Sequence, residues 1–160
     1  MLIAILVVVV LVLARSVKIV PPERAGIVMR LGRFSRVLPP GVSIIVPFVD
    51  KVQHTVDLRE QVVSFPPQRV VTKDDLVVSI DPVITFQVTD PVSAIYEIGN
   101  YTRAIEELTT NHLRTIVGGM DLERTRAGRE QISIRLRTVL DAATSKFGVR
   151  VHRVELKDIA

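Results

Sequence analysis

The stretch LVVSIDPVITFQVTDP, residues 76–91, decides the fold. Leu76, Val78, Ile80, Ile84, Phe86 and Val88 share one phase of a two-residue period, while Ser79, Asp81, Thr85, Gln87 and Thr89 hold the other. Successive side chains of a strand point to opposite faces, so this pattern predicts one long strand with a single buried face. Pro82 falls on the buried phase and has no N–H to give to the ladder, so an edge position, a bend or a bulge is expected there. Asp90-Pro91 closes the stretch as an N-cap followed by proline at N1, the start of a short helix in which Ala94, Ile95 and Ile98 face inward before Gly99.

The same stretch divides the chain. All nine prolines lie between Pro21 and Pro91. Upstream, Ile27, Met29 and Leu31 alternate with Val28 and Arg30 as a half-buried strand that turns at Gly32-Arg33. Pro39-Pro40-Gly41 marks a turn before a strand over 42–46. Residues 51–58 and 61–65 read as further strands, and Lys73-Asp74-Asp75 as a polar turn.

Downstream the period changes to that of helices. Asn100 caps a helix with the stripe Ile105, Leu108, His112 and Ile116, ended by Gly118-Gly119. A further helix starts near Asp121 or Arg124, and Ile132, Leu136, Val139, Leu140, Ala143 and Phe147 form its inner face up to Gly148. Val149 and Val151 then share one strand phase, Val154 and Leu156 the other, so a bulge is expected at His152-Arg153. The class is α+β: a curved, mostly antiparallel sheet with helices packed on it.

Ahead of this domain stands an uncharged run of Leu2, Ile3, Ile5, Leu6, Val7, Val8, Val9, Val10, Leu11, Val12 and Leu13. Eleven such residues favour membrane insertion by about 3–7 kcal/mol. Fourteen residues make a helix of about 21 Å, against a hydrocarbon core of about 30 Å. Extending the helix to Val20 closes the gap, with Arg15 and Lys18 snorkelling; a shallow or locally thinned insertion is the alternative. The division expected is an anchor over 1–16 and a domain over 17–160. A cleaved signal peptide is the rival reading, with Val12 and Ala14 as a tolerable cleavage pattern, but no basic residue precedes the run.

Arg15, Lys18, Arg30, Arg33 and Arg36, with Arg24 among them, follow the apolar run and are opposed only by Glu23. This places the domain on the cytoplasmic side of the cell membrane, with the basic cluster near anionic headgroups. The mean hydropathy of +0.34 thus describes two objects, a short anchor and an ordinary charged domain.

Several function classes fall away. The chain has no cysteine, and its three histidines, His54, His112 and His152, lack metal-ligand spacing, so neither a metal nor a cofactor is expected. GxSxG, P-loop and GxGxxG patterns are missing. Asp74-Asp75 reads as a solvated turn and His112 as a half-buried side chain of its helix. A net charge of +4 raises nucleic-acid binding, but with 4% aromatics and no tryptophan no stacking platform is present. A membrane-tethered hydrolase and a secreted domain are the alternatives to a non-enzymatic function.

The order of segments resembles the stomatin/prohibitin/flotillin family, also called SPFH or band 7. The likeness runs through VKIVPPERAG (17–26), VMRLGRF (28–34), LPPG (38–41), VPFVDKV (46–52), VTDP (88–91), RTIVGGMDL (114–122) and FGVRVHRVELKDI (147–159). It implies family-motif roles for Gly32, Arg33, Phe34, Pro40, Gly41, Pro47, Phe48, Asp90, Pro91, Glu155, Lys157 and Asp158. The bacterial stomatin-like branch with one N-terminal anchor is nearest. The resemblance implies a non-enzymatic, membrane-anchored scaffold that self-associates, in rings for longer chains, and organises microdomains. Implied partners are membrane lipids, further copies of the chain, NfeD-type membrane proteins or AAA+ membrane proteases, and not nucleic acid. Members continue past this last strand into a long coiled-coil helix, and with the sequence ending at Ala160 the expectation is either a fragment of a longer chain or a natural short form.

Overall fold

The computed structural model describes residues 1–160 as two compact units, residues 1–59 and 60–160. The α+β class holds in both halves of the chain, with antiparallel sheets throughout and helices packed on the larger of them.

The first unit opens with α1 (Leu2–Ser16), followed by β1 (Val17–Val20), β2 (Arg24–Arg30), β3 (Arg33–Leu38), β4 (Gly41–Ile44) and β5 (Asp50–Asp57). The helix does not extend to Val20. Val17, Ile19 and Val20 are β-branched, and the segment pairs with Gly41–Ile44 as an antiparallel ribbon, a nonlocal partner the local sequence does not announce. Ser16 closes the helix by donating its hydroxyl to Val12 O at 2.8 Å and accepting Ile45 N at 2.7 Å on its carbonyl. Fifteen helical residues make about 22 Å, and no helix of the protein is long and apolar enough to cross a membrane. The second sheet has the order β3-β2-β5. Val20, Val28 and Leu38 form the small core, with Ile45 and Val52 against it.

The second unit is built on β8 (Val77–Val88), whose side chains alternate strictly between buried and half-covered from Val78 onward. Leu76 lies outside the strand and is exposed, because Thr72 binds its N–H and carbonyl in the turn. On one edge of β8 lie β7 (Gln68–Val71) and β6 (Gln61–Ser64); on the other lies β9 (Val149–Ile159). The strand is therefore central, and Pro82 sits at a register shift against β9, where the ladder needs no N–H from it. A second shift pairs Thr85 with Arg153 and Phe86 with Val151, which leaves His152 as the extra residue of the bulge read from the sequence.

Asp90 caps α2 (Pro91–Ser93), accepting Val92 N and Ser93 N, and a π-helical turn continues to Ile98. Asn100 accepts Arg103 N at the start of α3 (Tyr101–Val117). Its buried stripe is Ile105, Thr109, Leu113 and Val117, one step away from the expected Leu108, His112 and Ile116, which are half-buried. The shift is possible because the Thr109 hydroxyl is satisfied by Ile105 O at 2.6 Å. Gly128 divides the last helical run into α4 (Leu122–Ala127) and α5 (Arg129–Thr144). α5 packs along β9, and α3 along α5 and β7. Asp74, in the β7–β8 turn, accepts Leu122 N at 3.2 Å and so caps α4 from 48 residues away.

Candidate membrane-contact site

Residues 1–59 carry eight Lys or Arg and three Asp or Glu, an excess of five positive charges, whereas residues 60–160 carry thirteen and fourteen. Each of the three acids is held by arginine. Asp50 receives Arg30 Nε at 2.6 Å and Nη2 at 3.1 Å. Asp57 receives Arg59 Nη2 at 2.9 Å, and Glu23 lies 3.5 Å from Arg59 Nε. Arg15, Lys18, Arg24, Arg33, Arg36 and Lys51 have no carboxylate at ion-pair distance. Arg30, read from sequence as a membrane-surface cation, pairs with Asp50 while its side chain stays half exposed, and Arg36 donates to Ile44 O.

The Arg30–Asp50 pair has a further task. The Asp50 side chain is fully buried, and its Oδ2 also accepts Val46 N at 3.0 Å, while Asp50 N donates to Val46 O at 2.9 Å. Arg30 first, then the Val46 N–H, hold the Asp50 carboxyl at about 2, well below its ordinary value. Residues 46–50 are thereby closed into a fixed loop that projects Phe48, 92% exposed, with φ at 69°. The adjacent β2–β3 turn projects Leu31 in the same way, 81% exposed with φ at 50°, and Leu31 N donates to Val49 O at 3.4 Å. A side chain held in left-handed backbone costs about 1–3 kcal/mol. Two apolar residues strained outward on neighbouring turns are a built feature, and Leu31 is not the inward-facing strand residue its alternation suggested.

The rest of the unit continues this apolar surface. Every residue of α1 except Ser16 is exposed. In the β1–β4 ribbon, Val17 pairs with Ile44 and Ile19 with Val42, and all four are exposed. Gly32, Arg33 and Phe34 lie at the β2–β3 turn, Pro40 and Gly41 at the turn into β4, and Pro47 and Phe48 in the fixed loop. Gly32 and Gly41 adopt φ of 81° and 114°, which only glycine takes freely.

The remaining motif residues lie in the other unit and serve its architecture. Asp90 and Pro91 start α2. Glu155 pairs with Arg153 at 2.6 Å, the Lys157 carbonyl accepts Arg129, and Asp158 Oδ1 accepts Ile159 N. Leu31 and Asp50 were not singled out by sequence; the available signals were an apolar residue directly before a turn glycine and an acid closing the VPF loop. No group of three or more His, Asp or Glu side chains is placed to hold a metal ion.

The profile of the SPFH domain / Band 7 family matches residues 18–160. An uncharacterized protein of Mycobacterium tuberculosis is 52% identical over 150 residues, 94% of this chain and 39% of its own length. One of Methanocaldococcus jannaschii is 40% identical over 92% of this chain and 74% of its own. A stomatin homolog of Pyrococcus horikoshii is 35% identical over 147 residues, 92% of this chain and 55% of its own. The chain thus spans about two fifths of the length of its mycobacterial relative.

Proposed function

The chain belongs to the SPFH domain / Band 7 family, and from that premise we propose that it is a non-enzymatic, membrane-associated scaffold of the stomatin type. The observation that carries this reading is the N-terminal unit's surface: a helix uncharged through Ala14 and exposed along that whole length, followed in sequence by turns that strain Leu31 and Phe48 into the open. Water gives no return for that arrangement, whereas a lipid interface does. The helix inserts shallowly or into a thinned bilayer rather than spanning a full hydrocarbon core. Arg15, Lys18, Arg33 and Arg36 then lie among anionic headgroups, each contributing about 1 kcal/mol near the surface.

The domain faces the cytoplasm by its flanking charge, and it organises membrane proteins by self-association, with NfeD-type proteins or AAA+ proteases as partners. Alkaline extraction of membranes tests the reading. Retention in the pellet supports insertion, and release into the supernatant rejects it. Mass measurement in mild detergent tests self-association, and a strictly monomeric longer chain rejects that part.

A further inference from the structure

One face of α1 is distinguished from the rest of the helix. Val8, Leu11, Val12 and Arg15 follow the i, i+3, i+4, i+7 spacing of a single stripe, and with Phe48 they line a cleft of about 350 Å³. That volume lies at the lower end of small-ligand sites, about 300–1,000 Å³. Its walls are apolar and its one polar group is the Arg15 guanidinium, which makes no ion pair or side-chain hydrogen bond. The wall opposite the helix is positioned rather than floppy: the Asp50 hydrogen bonds hold the loop, and Phe48 stays in left-handed backbone with its ring almost entirely uncovered.

We propose that this cleft seats a single acyl chain of an anionic phospholipid, whose phosphate is received by Arg15. The chemistry at each end selects the ligand. Aliphatic walls at the helical stripe and the Phe48 ring gain only from a hydrocarbon chain. A guanidinium presents a planar fork matched to phosphate oxygens. A free inorganic anion would use one exposed arginine and leave the apolar walls wet. The excess of five positive charges in this unit favours an anionic over a zwitterionic headgroup. The proposal rests on the membrane reading and adds to it a defined, saturable lipid.

The experiment uses the full chain in detergent, titrated with dioleoyl phosphatidylglycerol or dioleoyl phosphatidylcholine and read by native mass spectrometry, alongside flotation with vesicles of the same lipids. One phosphatidylglycerol per chain is expected, favoured over phosphatidylcholine by about tenfold, the scale of one charge-assisted contact. Arg15→Gln removes most of the tenfold preference while one chain is still retained. Val8→Trp fills the cleft without removing apolar surface, so the bound lipid is lost. A Val8→Trp variant that keeps its lipid, or lipid uptake that rises without saturation, overturns the cleft. Competition by millimolar inorganic phosphate alone reassigns Arg15 to a free anion and overturns the proposal as well. Failure of the unaltered chain to float defeats the membrane reading itself, whereas flotation without a one-to-one lipid defeats only the cleft.

Discussion

Residues 1–59 bury six apolar side chains and leave twenty large ones exposed; residues 60–160 bury eighteen and leave six exposed. The charge divides the same way, with the whole excess in the first unit. One chain thus carries two answers to the hydrophobic effect. The second unit removes its apolar surface from water internally, through Phe86, Ile80, Ile84, Leu113, Leu136 and their neighbours. The first keeps a minimal core and presents apolar and cationic groups together, the composition on which the proposed membrane contact rests. Stability and membrane affinity should therefore respond to different residues.

The largest effect expected is at Phe86, fully buried and edge-on to Tyr101 at 5.9 Å between ring centroids. Phe86→Ala should cost about 3–5 kcal/mol in denaturant unfolding while the folded fraction floats with vesicles unchanged. The mirror experiment is Val9→Asp on the exposed helix. It should lower vesicle affinity by about 3 kcal/mol, more than a hundredfold, and leave the unfolding midpoint in place. If either variant moves both readouts, the division fails.

Phe48→Gly sharpens the contrast through opposite signs. Glycine takes φ near 69° freely, so folding should gain about 0.5–1 kcal/mol, while membrane affinity falls by about 1.5–2 kcal/mol with the lost ring. Removing the Asp50 charge costs stability at neutral pH and ceases to matter in acid. A carboxyl with its folded value lowered from 3.8 to about 2 stabilises fully above 3.8, and that contribution disappears as the pH falls through about 2. Asp57, lowered to about 2 by Arg59, acts in the same window. Acid titration of the unaltered chain should show the first unit losing stability below pH 3.8, and Asp50→Asn should flatten that limb.

The legible parts of the fold were those written in local pattern. β8, the bulge at His152 and the caps at Asp90 and Asn100 each follow from a period or a side chain acting within four residues. What escaped was set by distant partners. Val17–Val20 became a strand because Gly41–Ile44 lies beside it, and β3 and β7 needed β2 and β8. The inner stripe of α3 was misplaced because a threonine can be buried once its hydroxyl finds the carbonyl one turn back, as at Thr109 and Thr125. At the candidate site the apolar residues of α1 and Phe48 were visible as apolar letters, but the exposure of both and the strain at Phe48 were not. Arg30 is legible in the sequence as one of the basic cluster, but its partner Asp50, twenty residues on, is not.

The cap that Asp74 places on α4 has a consequence in time. A six-residue helix is far below the length, about 12–15 residues, at which helices begin to hold in isolation, and its own N-cap residue Asp121 makes no side-chain cap. Its first turn relies on Leu122 N reaching Asp74, and Lys73 N reaches Met120 O at 3.0 Å beside it. Both groups exist in place only after β7 and β8 have joined. The helix is therefore expected to form late, once a loop of 48 residues has closed, and amide protection at its start should then follow the sheet rather than the helix.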